Sequence, residues 1–301
     1  MSVTQHLGQE LQFGNRPRAG SHKSRNVSLQ VVTSIDDLDR YAIALQDLAR
    51  DVPHQNISYE PWILAPIARA CVPHQQLLFL LVSSDTPQDA HQLIGFFPLV
   101  RDRFHANVPI SCLRLWVDPF NYLGGRCDPL IRRGQGAACI EALLSWFGTG
   151  KARAGILDLG SLTGGTKFAD TLGQRLAAGK GWKVQHLTWE SHLYRRMENA
   201  ETYLRTSLSS HAGASVRRNA RRLSEIGPVT YTDLDEASDV TTVINEFLDL
   251  EHAGWKGRKG VSIEAYGHRD MIKDVLLEAH QRGRLSLLTM RVADRLVAAR
   301  A

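Results

Sequence analysis

"FLDLEHAGWKGRKGVSI", residues 247–263, joins two stretches whose apolar residues recur at helical spacing. Between Gly254 and Gly260 it carries one tryptophan, three cations and three glycines. One reading is a helix end. Lys256, Arg258 and Lys259 would then complement the negative end of the helix dipole, Gly254 or Gly257 would supply a left-handed cap, and Trp255 would cover the core. A dipole needs no neighbouring tryptophan, so the second reading is a loop that binds an anionic ligand.

The flanks place this joint in a repeating pattern. Before it, 237–253 is expected as a helix with Val240, Val243, Ile244, Phe247 and Leu248 inward. After it, a helix is expected across 263–281, then the strand "RLSLLTMRV" (284–292), a turn at Ala293–Arg295 and the strand "LVAARA". Upstream lie a helix, "SLSSHAGASVRRNARRLSEIG", and a strand, "VTYTDL" (229–234). In that helix Val216, Ala220 and Leu223 share one stripe, and Arg217, Arg218, Arg221 and Arg222 spread over the other face. Such a face suits either plain solvation or an anionic partner.

The same β-α-α-β-β order opens the chain. "SLQVVT" (28–33) alternates like a strand, and Leu38, Tyr41, Ala42, Leu45 and Leu48 mark a helix behind Ser34. "YEPWILAPIARACV" (59–72) reads as a second helix bent at Pro66. Strands follow at 76–84, 91–103 and 110–118, the first two joined by the turn "DTPQDA". Beyond the loop "PFNYLGGRCDPLI" come a helix ending at Gly148 and Gly150, a buried strand "GILDLGS" (155–161), the helix "TKFADTLGQRLAAG" and a strand "WKVQHLTW" (182–189). The fold class expected is α/β, a mixed sheet flanked by helices, duplicated. The units span 28–197 and 198–301, the second cut short after its third strand, behind a disordered basic leader at 1–27.

Composition narrows the function classes. The 301 residues are 43% hydrophobic and 22% charged, which suits a globular protein of two domains and no disordered chain. The longest apolar run, "LLFLLV" (77–82), is far too short to span a membrane. The leader lacks a signal-peptide core, so the expected location is cytoplasmic. Four cysteines lie far apart and twelve histidines are scattered without ligand spacing, so no metal is expected. A net charge of +5, without aromatics interleaved among the arginines, makes a specific nucleic-acid binder the weakest class.

The opening stretch resembles a signature of bacterial GNAT-like acyltransferases of the cellulose-biosynthesis-associated acetyltransferase family. Three further pieces agree in type and order: "FNYLGGRCDPLI" (120–131), "YLRTSLSSHAGASVRRNARRLSEIGPV" (203–229) and "GRLSLLTMRVADRLVAAR" (283–300). The resemblance spans 28–301, and the W-K-G-R block is its specific part. It implies tandem GNAT-like domains, a plan shared with the aminoacyl-tRNA-dependent cross-bridge transferases. It also implies acyl transfer from acyl-CoA (acetyl-CoA) to an amine on a small-molecule, glycan-linked or lipid-linked acceptor, tied to exopolysaccharide, cellulose or cell-envelope metabolism.

Acyl transfer needs an amine deprotonated, a thioester held beside it and donors for the oxyanion. The helix start "IRRGQGAACIEALL" (131–144) offers Arg132, Arg133, Gly134 and Gly136 to a pyrophosphate, one residue short of the usual GNAT spacing. In a GNAT fold the joint between the first two helices lines the acceptor site. Trp255 would then pack the acceptor, Lys256 or Arg258 would grip its anionic group, and Glu251 or Glu246 would act as general base. In the equivalent region of the first unit, Asp118 would bind substrate and Tyr122 would handle a proton. Two other readings stand beside this one: an inactive GNAT-like binding module and an aminoacyl-tRNA-dependent transferase.

Overall fold

Two sheets carry the architecture in the computed structural model, which describes residues 27–71, 75–85, 91–105, 107–120, 122, 127–179, 199–234 and 239–301. The first is a mixed sheet of six strands: β1 (Val27–Val32), β2 (Gln76–Ser84), β3 (Gln92–His105), β4 (Val108–Leu115), β5 (Leu130–Ile131) and β6 (Ile156–Asp158). Its order is β1-β2-β3-β4-β6, antiparallel except for the parallel β4–β6 pair, and β5 joins β3 at Gly95 and Phe96. Leu77 to Val82 of β2 are buried without alternation, as a central strand covered on both faces requires.

Helices flank this sheet. Ser34 caps α1 (Ile35–Leu38) by accepting from the Asp36 amide, and α2 (Ala42–Arg50) buries Leu45 and Leu48. α3 (Pro61–Cys71) carries Pro66 inside it. α4 (Gly136–Gly148) and α5 (Lys167–Ala178) pack a smaller cluster of Ile140, Leu144 and Leu172.

After α6 (Ala200–Ser207) and α7 (Ser210–Ile226), a three-stranded antiparallel sheet runs β7 (Val229–Asp233), β8 (Leu288–Val292), β9 (Arg295–Arg300). It is served by α8 (Val240–Ala253), α9 (Trp255–Arg258) and α10 (Arg269–Gln281). Asp239 caps α8 by accepting from both the amide and the hydroxyl of Thr242. α10 belongs to both cores. Val275 is part of the large cluster under the first sheet, whereas Ile272 sits with Ile244, Leu248, Ile263 and Leu287 in the second.

Several expectations shift. The helix expected from 263 begins only at Arg269, because Ser262 accepts from the Ala265 amide and Gly267 turns the chain at φ 75°. The strand expected buried at 155–161 is three residues long and half-buried. β5 and α6 were not anticipated. The strand expected at 182–189 and the leader over 1–26 lie outside the described residues. No helix among the described residues is long and apolar enough to cross a membrane.

Candidate functional site

The loop after β4 and the loop before α10 meet in a seam between the two sheets. Tyr59, just ahead of α3, donates its buried hydroxyl to the Trp116 carbonyl at 2.7 Å, which fixes where the first loop leaves β4. Desolvation pushes that phenol well above the usual tyrosine range. Asp118 is buried, and its Oδ1 accepts from the Phe120 amide at 2.9 Å. Asp118, expected to bind substrate, shapes the turn that presents Phe120 and Tyr122.

Those two rings stack at 5.4 Å, and Phe120 also meets Tyr266 at 4.9 Å and the edge of His268 at 4.5 Å. Tyr122 Oη lies 3.0 Å from His268 Nδ1. Burial among these rings pushes the imidazole pKa down from its ordinary value, which favours the neutral form. Neutral imidazole has one nitrogen free to accept, and the phenol can fill it.

The W-K-G-R stretch is not the end of α8. It is a separate single turn, α9, closed by a Schellman motif in which the Val261 amide donates to Lys256 O at 2.9 Å and the Gly260 amide to Gly257 O at 3.0 Å. The left-handed cap is Gly260 (φ 68°), whereas Gly254 has φ −77°. Gly257 serves a different need: a Cβ there would lie 1.8 Å from the His252 carbonyl oxygen. Trp255 does not cover the core; it is 57% exposed, with Lys259 Nζ 5.5 Å from its ring centroid.

Glu251, expected as a general base, has both carboxylate oxygens engaged and a side chain only 10% exposed. Oε1 pairs with Lys256 Nζ at 3.2 Å and Oε2 accepts from the Ile263 amide at 3.0 Å. The Ile263 carbonyl in turn accepts from the His268 amide. A continuous chain therefore runs Lys256, Glu251, Ile263, His268, Tyr122. Beside it, His252 Nδ1 and the buried Ser262 hydroxyl lie 2.9 Å apart. Glu246 lies elsewhere, ion-paired with Arg291 of β8.

The glycine-rich start of α4 divides. Arg132 is buried, with Nε donating to Leu93 O, Nη1 to Asp51 at 3.1 Å and Nη2 to Asp47 at 2.5 Å. Expected to meet a pyrophosphate, it holds α2 against β5. Arg133 and Gly134 are exposed, Gly134 has φ 75°, and no atom lies within 4 Å of a Cβ built on Gly134 or Gly136. That much of the cradle is open to a phosphate. Below it, β4 and β6 pair over three residues only, and the chain's own Cys127–Ile131 segment bridges the space beyond: Cys127 N donates to Ser161 O and the Asp128 carboxylate holds Thr163.

A second contact crosses the seam. Arg284 Nη1 lies 2.7 Å from both carboxylate oxygens of Glu60, and Trp62 Nε1 donates to the same carboxylate at 2.9 Å. Arg282 stacks over the Trp62 ring at 5.1 Å. Sequence reasoning missed this group, together with Phe120, Tyr266 and His268. The run "YGHRD" (266–270) was the available signal, two rings and a cation ahead of a helix start.

No curated protein matches this chain. A solved structure of an acetyltransferase from Trypanosoma brucei is similar at a TM-score of 0.32 and 12% identity, over 56% of this chain and 100% of that one, too loose a likeness to carry fold or function. Residues 210–301, which hold α7 to α10 and the whole second sheet, match the family described as "Acetyltransferase (GNAT) domain".

Proposed function

We propose that the chain is an N-acyltransferase of tandem GNAT-like plan that moves an acyl group from acyl-CoA to an amine, with the acceptor bound at the seam. The match of 210–301 to an acetyltransferase (GNAT) domain carries this reading, since that segment supplies the W-K-G-R turn and His268. Acyl-CoA supplies the activated thioester. The open start of α4, with Arg133, Gly134 and Gly136, fits its pyrophosphate, because the positive helix end favours an anion there and no side chain crowds the two glycines. Tyr122 and neutral His268 form the proton-handling pair for the amine. Trp255, Lys256 and Arg258 hold the acceptor, and Glu251 acts as a positioning residue that fixes their turn. The acceptor's link to cellulose, exopolysaccharide or the envelope rests on the sequence resemblance alone.

One observation favours a second reading, a GNAT-like binding module without turnover. In a GNAT fold the acyl group enters where central strands splay, and here Cys127–Ile131 fills that space in the first sheet. Calorimetry and thiol-release assays with acetyl-CoA and longer acyl-CoAs, over a panel of amines, separate the two. Binding with release of CoA thiol supports the transferase, and binding without release supports the module. No binding at millimolar acyl-CoA removes both.

A further inference from the structure

The turn at 255–261 is held rigid from three sides, by its Schellman closure, by the Glu251 clamp and by Gly257 against the His252 carbonyl. Such a frame would be wasted on a side chain left to solvent, yet Trp255 is displayed there. Val261 and Tyr266 are exposed in the same short segment, so 255–266 holds three of the twelve large hydrophobic side chains exposed among the described residues. Twelve residues of sequence thus hold a quarter of that set.

Charge points the same way. Glu251 is neutralised by Lys256 and Glu264 by Arg269, whereas exposed Arg258 and Lys259 have no carboxylate partner among the described residues. An exposed segment that carries tryptophan, tyrosine and two cations without a carboxylate partner among the described residues matches the composition that settles at the headgroup layer of a bilayer.

We propose that residues 255–266 dock the protein on an anionic lipid bilayer, with Trp255, Val261 and Tyr266 entering the headgroup layer and Arg258 and Lys259 meeting lipid phosphates. The surface then presents a lipid-linked acceptor to the adjoining seam. Docking itself does not depend on the transfer reaction, because it is read with no acyl-CoA present.

The test is vesicle flotation of the full chain. Phosphatidylcholine vesicles with roughly a third phosphatidylglycerol should carry the protein and plain phosphatidylcholine should not, and raised salt should release it. Arg258→Gln with Lys259→Gln should weaken association about 25-fold, near one surface cation's worth each. Quenching of tryptophan emission by brominated lipids should vanish in Trp255→Phe. Circular dichroism should be unchanged in these exposed-site variants, and the salt response of the unaltered chain gives a readout that needs no variant. Absence of binding to anionic vesicles would overturn the proposal. So would release by millimolar glycerol phosphate, which identifies a small phosphate ligand, or binding lost in Arg217→Gln/Arg222→Gln of α7 but kept in the turn variants.

Discussion

Tyr122 Oη and His268 Nδ1 meet at 3.0 Å across 146 residues of sequence, and the burial that brings them together lowers the pKa of the imidazole from its ordinary 6.5. The unfolded chain then binds more protons than the folded one between that lowered value and 6.5. Stability should be full above about pH 6.5, fall as the pH drops through this window, and level off below the folded pKa. Thermal melts of the native chain and of His268→Gln test it: the variant should show the shallower slope across this window. Parallel curves would place the titration elsewhere.

Gly257→Ala puts a methyl carbon where the His252 carbonyl oxygen already stands, a clash with backbone that no rotamer relieves. The turn must shift away from α8, at a cost of about 1–3 kcal/mol. A lower midpoint in urea, with loss of the Lys256–Glu251 pairing, is the expected result. Gly254→Ala, where the nearest atom is 3.5 Å away, should be far milder.

The Glu60–Arg284 pair is largely shielded, at 11% and 33% side-chain exposure. Arg284→Met leaves Glu60 a charge with Trp62 as its remaining side-chain partner among the described residues, so it should destabilise more than Glu60→Gln. A double-mutant cycle should give a coupling of about 1–3 kcal/mol. A value near zero would mean that the seam is held by the Phe120, Tyr122, Tyr266 and His268 contacts and the packing of Val275 instead.

Cys112, Cys127 and Cys139 are all buried, and burial pushes the Cys139 thiol up to about 12. None should react with a thiol reagent in the native state at pH 8, and all should react in denaturant. Gly95→Ala should expose the contact beneath, because its Cβ would lie 2.6 Å from Cys139 Sγ.

The fold was legible where local periodicity decides it. β2 at 76–84, the helix stop at Gly148 and the Ala293–Arg295 turn follow directly from apolar runs, glycine and turn chemistry. β5 was hidden, since two residues carry no period. The late start of α10 turned on a Ser262 side-chain bond that propensity does not price. The site was half legible. The W-K-G-R block announced itself by composition, but its closing glycine was assigned three positions too early or more. The partners of Arg132 were hidden, because Asp47 and Asp51 lie over eighty residues away. His268 gave no signal alone, because its meaning comes from Tyr122 and Phe120 in the other half of the chain.

The Glu60–Arg284 clasp spans 224 residues, and Val275 of α10 completes the core beneath the first sheet. During synthesis α3 therefore leaves the ribosome long before its cover. At about 5–20 residues per second, Glu60 and Trp62 wait roughly ten to forty-five seconds for α10 to emerge. Throughout that interval the nascent first half carries an unfilled apolar site and an unpaired carboxylate. High contact order at the seam makes its closure the late step, and the half-made chain is the species most exposed to misassembly.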